Sequence, residues 1–233
     1  MKASLGRRLV AELLGTAFLV AAVIGSGIMG ERLAGGNVAI ALLANTIATG
    51  AALVALILAF GPISGAHFNP VVSLGEAIEG GIRWTETPGY VTAQVLGALG
   101  GTIAAHGMFS LSTISISQHM RSGRAQLFSE FVATFGLMCV IWGCAKRRPD
   151  FVAFAVGAYI TAAYWFTAST SFANPAVTIG RALSDTFAGI RPQDVPGFIA
   201  AQFAGGLAAT FLFRWLAKDN KAQDFPAARS SSS

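Results

Sequence analysis

The chain has 233 residues, of which 54% are hydrophobic and only 12% are charged. A soluble domain usually carries about a quarter charged residues, so this composition excludes an ordinary soluble globule. The net charge of +5 comes from basic residues beside apolar segments rather than from one basic patch, so it indicates a multi-span membrane protein and no nucleic-acid partner.

Six apolar stretches are long enough to cross a hydrocarbon core of about 30 Å. They lie near residues 9–29, 38–60, 88–110, 126–145, 152–168 and 196–216. Six spans place both termini on one side of the bilayer, and that side receives eleven of the 16 lysines and arginines. The positive-inside rule therefore predicts that both termini are cytoplasmic. Residues 218–233 are polar and are predicted to form a disordered cytoplasmic tail.

Two further segments, residues 61–80 and 169–188, are too short to be spans and too apolar to be ordinary loops. Each is rich in Gly, Ser and Thr and is interrupted by Asn-Pro. Such a segment is predicted to enter the membrane partway and to leave on the same side. Irregular backbone at this depth is tolerated where it lines a water-filled cavity.

Three landmarks recur in the same order in each half: a glutamate, an Asn-Pro pair and a glutamine. They are Glu12, Asn69-Pro70 and Gln94 in the first half, and Glu130, Asn174-Pro175 and Gln202 in the second. The predicted repeats are residues 1–115 and 116–217. Because each repeat has three spans, the second is inverted relative to the first, which favours a permeation site at the bilayer midplane.

Each Asn-Pro pair predicts the start of a short helix, with Asn as the N-cap and Pro at the first helical position. The half-helices are expected at residues 69–79 and 174–184. Their N-termini would meet at the centre, where the helix dipoles and the amides of Asn69 and Asn174 favour neutral solutes and oppose cations. The preceding segments, residues 63–68 and 168–173, are expected to be extended and to aim carbonyl groups into the pore.

The paired Asn-Pro motifs, the run from Ser64 to Pro70 and the repeated glutamates and glutamines resemble the aquaporin, or major intrinsic protein, family along almost the whole chain. The resemblance implies an all-α membrane protein with six transmembrane helices and two re-entrant half-helices. It also implies a homotetramer in the bacterial inner membrane, with one pore per subunit for water, glycerol or related neutral solutes. No catalytic residue, cofactor or metal site is expected.

The resemblance also implies an outer selectivity filter, carried over by spacing from the two motifs. Its four positions fall on Thr49, Ala162, Ser171 and Val177. Most family members have Arg directly after the second Asn-Pro-Ala triplet, where this chain has Val177. With four small or medium-sized uncharged side chains, the filter is expected to be wide.

This filter resembles that of a bacterial branch of the family associated with arsenic resistance. The solute is accordingly predicted to be a glycerol-like polyol or a trihydroxy metalloid acid such as arsenite, with water also permeating. A water-selective aquaporin is the first alternative. A structural membrane protein with a closed pore is another.

The pore mouths are predicted to contain His67 and Gly65 on the cytoplasmic side, and Phe172 and Arg181 on the outer side. Arg181 follows Val177 by one helical turn and could partly occupy the empty filter position. The alternative is an ion pair between Arg181 and an aspartate four residues further on.

The intramembrane residues Glu12, Glu130, Gln94 and Gln202 are predicted to anchor the re-entrant loops, since an unpaired buried charge is costly. The alternative is a proton-coupled transporter that uses Glu12 and Glu130.

Overall fold

A computed structural model describes residues 3–145 and 147–217. These residues form eight α-helices, joined by loops and two short 3-10 turns, Pro149–Phe151 and Pro192–Asp194. The helices are α1 (Leu5–Leu33), α2 (Val38–Ser64), α3 (Pro70–Glu79), α4 (Thr87–Met108), α5 (Arg124–Ala145), α6 (Val152–Phe166), α7 (Pro175–Ala182) and α8 (Val195–Leu216). The tail predicted at residues 218–233 lies outside the described residues.

The six predicted spans are all helices. By length and composition α1, α2, α5 and the segment Pro192–Leu216, which contains α8, are able to cross a membrane. Helix α4 has 22 residues and is less apolar, and α6 has 15 residues directly after a 3-10 turn. With α3 and α7 between the spans, the predicted fold of six spans and two half-helices is confirmed.

The two half-helices begin at Pro70 and Pro175, and they end differently. Helix α7 ends at Ala182, two residues before the predicted end. The connector between α4 and α5 folds over this end, where Ser117 N donates to the Ala182 carbonyl and Ser115 N donates to the Leu183 carbonyl, both at 3.0 Å. The carbonyl groups at the end of α7 therefore accept hydrogen bonds from the connector, in place of the N–H groups that a further helical turn would provide.

Glycines allow the closest helix crossings, and these crossings are equivalent in the two halves. In α4, Gly97 faces the Leu13 carbonyl of α1, and in α8, Gly205 faces the Phe131 carbonyl of α5. A Cβ at either glycine would lie 2.3 Å from the facing carbonyl oxygen, so no larger residue fits without separating the helices. By contrast, Gly100 is exposed and has open space around it, although the same run of small residues contains it.

Gly97→Ala should destabilise the protein by about 1–3 kcal/mol, because the added methyl group would push α4 away from α1. The measurement is the thermal unfolding midpoint of the detergent-solubilised protein. Gly100→Ala is the matched control in the same helix and should be neutral or slightly stabilising. Equal midpoints for the two variants would contradict the close crossing.

Candidate functional site

A cavity of about 210 Å³ lies between the two half-helices and the spans around them. Most of its wall is apolar and includes Leu19, Leu53, Leu137 and Ile160. The polar and charged side chains in the wall are Thr49, His67, Asn69, Glu76, Tyr164, Ser171, Asn174 and Arg181. The two half-helices contribute residues from both repeats, so the predicted central site and both predicted mouths lie on one cavity.

Asn69 and Asn174 connect the two repeats at the centre of this cavity. Each Oδ1 accepts a hydrogen bond from the N–H of the second residue of its own half-helix, at 2.9 and 3.0 Å. Asn69 Nδ2 donates to the Ala173 carbonyl, and Asn174 Nδ2 donates to the Phe68 carbonyl, both at 2.7 Å. An amide NH2 has two hydrogens, so one hydrogen of each amide remains for a molecule in the cavity.

The loops before the two asparagines adopt left-handed conformations at equivalent positions. Ala66 and Phe68 have φ of 50° and 48°, and Ser171 and Ala173 have φ of 49° and 48°. The expectation of extended segments is therefore wrong at these residues. A non-glycine residue in this region costs on the order of 1–3 kcal/mol, so other contacts must hold each loop in place.

Glu12 holds the first loop. Its Oε1 accepts hydrogen bonds from Ser64 Oγ at 2.6 Å and His67 N at 2.9 Å, and its Oε2 accepts from Phe68 N at 2.7 Å. Gln94 Nε2 donates to the same Oε2 at 2.8 Å. The carboxylate is fully buried and does not line the cavity, so all of these contacts are to protein groups.

Glu130 holds the second loop in the same way. Its Oε1 accepts from Phe172 N and its Oε2 from Ala173 N, both at 2.9 Å. Gln202 Nε2 donates to Oε2 at 2.6 Å and to Thr178 Oγ1, in the half-helix, at 2.9 Å. Carboxylate, amide and half-helix therefore form one continuous hydrogen-bonded unit.

A second set of contacts supports the cytoplasmic end of the first loop, and no sequence motif identified it. Tyr90 Oη donates to the Ser64 carbonyl at 2.8 Å, and its ring centre lies 5.1 Å from that of His67. Beside Tyr90, Arg8 pairs with Glu86 at 2.6 Å. Hydrogen bonds from arginine, with Arg8 the largest contributor, lower the pKa of the Glu86 carboxyl to about 2.

Three of the four predicted filter residues, Thr49, Ser171 and Val177, line the cavity. The fourth, Ala162, is exposed on the opposite side of α6, and Tyr164 lines the cavity instead. Tyr164 Oη donates to Thr49 Oγ1 at 3.3 Å. The prediction of Ala162 is therefore wrong, and the cavity wall at this level contains an aromatic ring that the sequence did not predict.

The helical period explains this correction. Helix α6 presents every fourth residue to the cavity: Val152, Val156, Ile160 and Tyr164. Ala162 is two residues from Ile160 and from Tyr164, a rotation of about 200°, so it faces away. The prediction assumed a fixed number of residues between this position and the second Asn-Pro motif. The connector after α6 does not keep that number.

The outer mouth contains a buried arginine. Arg181 is 2% exposed, lines the cavity and has its Cζ 3.3 Å from the centre of the Phe172 ring. Its Nε donates to the Ala188 carbonyl. Among the described residues Arg181 forms no ion pair with Asp185, so that alternative is wrong. Asp185 Oδ1 instead accepts a hydrogen bond from Gln118 N at 2.9 Å.

A second arginine reaches the same place from the connector between α4 and α5. Arg121 Nε donates to the Gly189 carbonyl at 2.7 Å, and its Cζ lies 5.0 Å from the Phe172 ring centre. Burial lowers the pKa of this guanidinium to about 10, which leaves it charged at neutral pH. No sequence motif includes Arg121, so the sequence predicts only that it lies in a connector on the outer side of the membrane.

Comparison with known proteins identifies the family. The profile of the major intrinsic protein family matches residues 1–151. Over 212 residues the chain is 54% identical to the aquaglyceroporin AqpS of Rhizobium meliloti (strain 1021), covering 91% of each chain. The chain belongs to the major intrinsic protein family. Members of this family are integral membrane channels.

A plant relative shows lower identity. The chain is 34% identical to aquaporin NIP1-4 of Oryza sativa subsp. japonica, over 88% of this chain and 75% of the relative. Among solved structures, the aquaglyceroporin from Plasmodium falciparum matches 93% of this chain and 97% of its own length, with a TM-score of 0.71 at 23% identity. This structure supports the fold.

Glu12→Gln and Glu130→Gln should each destabilise the protein. A glutamine has only one acceptor oxygen and turns an NH2 group toward backbone donors, at a cost of about 1–3 kcal/mol for each unpaired N–H. Thermal unfolding measures the loss, with exposed Glu31→Gln as the control. Unchanged stability together with altered dependence of solute flux on a proton gradient would instead support proton coupling.

Tyr164→Ala should widen the filter and raise the permeability of polyols larger than glycerol by at least about threefold, because an aromatic ring leaves the cavity wall. Ala162→Leu should leave permeability unchanged. Light scattering on proteoliposomes measures both variants. The reverse pattern, with Ala162→Leu blocking glycerol and Tyr164→Ala inert, would restore the original filter assignment.

Proposed function

We propose that this major intrinsic protein is a passive channel for small uncharged solutes. The solutes are glycerol-like polyols or trihydroxy metalloid acids such as arsenite, and water also permeates. The observation that carries this proposal is the cavity itself: a mostly apolar wall with hydrogen-bonding groups from Asn69, Asn174 and Ser171. A polyol has a carbon face and a hydroxyl face, and such a wall suits both.

Ser171 gives the solute a specific contact. Its Oγ is buried and has no hydrogen-bond partner among the described residues. A buried hydroxyl without a partner loses free energy, so a solute hydroxyl that reaches Ser171 gains a hydrogen bond that the protein does not otherwise make. The relative named as an aquaglyceroporin, at 54% identity, supports the same class of solute.

Proton-coupled transport is disfavoured by the contacts of Glu12 and Glu130. Both carboxylates accept hydrogen bonds from two backbone N–H groups and a glutamine, and neither lines the cavity. Protonation would cost the very bonds that hold the loops. The solute is expected to pass without chemical change, and no cofactor takes part.

The proposal includes the assembly and its orientation. The exposed apolar side chains on the outer surface, such as Phe18, Leu43, Phe154 and Phe211, suit contact with lipid or with neighbouring subunits. We expect a homotetramer in the bacterial inner membrane, with one pore per subunit and both termini in the cytoplasm. The family resemblance and the distribution of basic residues support this arrangement.

Val177→Arg should lower glycerol and arsenous acid permeability by at least about tenfold while water permeability changes less, because a guanidinium would narrow the filter. Stopped-flow light scattering on proteoliposomes compares the three solutes. Val38→Arg adds the same charge at an exposed residue outside the cavity wall and serves as the control. Fast water flux without solute entry in the parent would support the water-selective alternative, with Tyr164 closing the filter.

A further inference from the structure

The outer mouth of the cavity holds two guanidinium groups that form no direct ion pair among the described residues, although Glu130 attracts both at longer range. Arg181 and Arg121 are 2% and 8% exposed. The described residues form four ion pairs, and neither arginine takes part in them. Burying a charge without a direct ion-pair partner is expensive, so other contacts must hold each of these two guanidiniums in place.

The contacts of the Arg121 guanidinium are to backbone carbonyl groups of the protein. Its guanidinium donates to the carbonyls of Ser169, Phe187 and Gly189, and so ties the loop before α7 to the loop after it. It does not line the cavity. Arg121 therefore adds charge to the outer mouth but does not itself face the solute.

Arg181 is different, because it lines the cavity. One face of its guanidinium stacks on Phe172, and Nε donates to the Ala188 carbonyl. Phe172 is itself fixed, since its ring packs edge-on against Phe198 with centres 5.2 Å apart and its N–H is bound by Glu130. A planar guanidinium held on a fixed ring has a defined position in the cavity.

Arg181 lies one helical turn along α7 from the predicted filter residue Val177. Arg181 follows Val177 by four residues in α7, which is about 6 Å along the helix axis. This rise separates the backbones of the two residues, whereas the guanidinium itself lies on the Phe172 ring and interacts with Tyr164. Tyr164 links the two levels, because its electrostatic interaction with Arg181 accompanies its hydrogen bond to Thr49.

We infer that Arg181 is the charge filter of this channel: its guanidinium repels cations and hydronium at the outer mouth and donates hydrogen bonds to oxygen atoms of the entering solute. This inference rests on the proposed channel function. It assigns ion exclusion to a residue that follows Val177 by one helical turn, so the charge comes from outside the four predicted filter positions. Val177 leaves the predicted filter open, and Arg181 supplies the barrier.

Arg181→Gln is the primary test, in proteoliposomes that report both glycerol entry and leak of protons and sodium ions under an imposed potential. The leak should rise at least about tenfold over the parent, while glycerol entry is retained. Retained glycerol entry shows that the variant is folded. A variant that passes glycerol and stays as tight to protons and sodium ions as the parent would overturn the inference.

Two further variants test whether ion exclusion depends on a positive charge in the cavity or on the total positive charge of the outer surface. Arg191→Gln removes one positive charge from the outer surface, where Arg191 is partly exposed and paired with Asp194, and it should leave the leak unchanged. Adding Val177→Arg to Arg181→Gln should restore tightness, because a guanidinium returns to the pathway. An equal leak in Arg191→Gln, or no rescue in the double variant, would assign ion exclusion elsewhere.

The parent provides a test that does not depend on a variant folding. A cavity mouth whose guanidinium has no direct ion-pair partner among the described residues should bind a planar monovalent oxyanion. External nitrate should therefore slow glycerol entry in a concentration-dependent way, whereas gluconate at the same ionic strength should not. No effect of nitrate would overturn the inference. A parent that fails to pass glycerol at all would instead overturn the proposed function.

Discussion

Two buried carboxylates hold the pore backbone in a conformation that it would not adopt alone. The first re-entrant loop has two non-glycine residues in the left-handed region, Ala66 and Phe68, and the second has three, Thr170, Ser171 and Ala173. That strain is on the order of 1–3 kcal/mol per residue. Hydrogen bonds to a charged acceptor contribute about 1.5–3 kcal/mol each, so the bonds to each carboxylate are large enough to offset the strain. The two glutamates are therefore a structural requirement of the pore, which explains their presence at membrane depth.

The same carboxylates stabilise the meeting of the two half-helices. The N-termini of α3 and α7 each carry a partial positive charge, and they converge on one cavity. Their mutual repulsion is reduced because Glu12 and Glu130 bind the loops that lead into them. The asparagines then join the halves directly, since each Nδ2 donates to the carbonyl of the strained residue before the other asparagine. Neither half-helix is positioned independently of the opposite repeat.

The sequence predicts what depends on local pattern and on the repeat. Apolar length predicts the spans, Asn-Pro predicts the starts of the half-helices, and the repeated glutamates predict equivalent positions. Prediction from the sequence fails where the position of a side chain depends on the length or conformation of a loop. Tyr164 replaces Ala162 in the cavity wall because the connector after α6 does not preserve the expected spacing. The left-handed residues are not glycines, so the sequence does not mark them. Arg181 donates to the Ala188 carbonyl rather than pairing with Asp185, because α7 ends before that aspartate, which therefore does not continue its helical face.

The inverted repeat also shows where the two mouths differ. Arg181 lies seven residues after Asn174, and Glu76 lies seven residues after Asn69, so equivalent positions of the two half-helices carry opposite charges. Both side chains line the cavity. The central carboxylates moderate the half-helix dipoles, so the charge filter that we infer at Arg181 would carry a larger share of ion exclusion. The repeat produces the pathway, and this inferred filter is a departure from its symmetry.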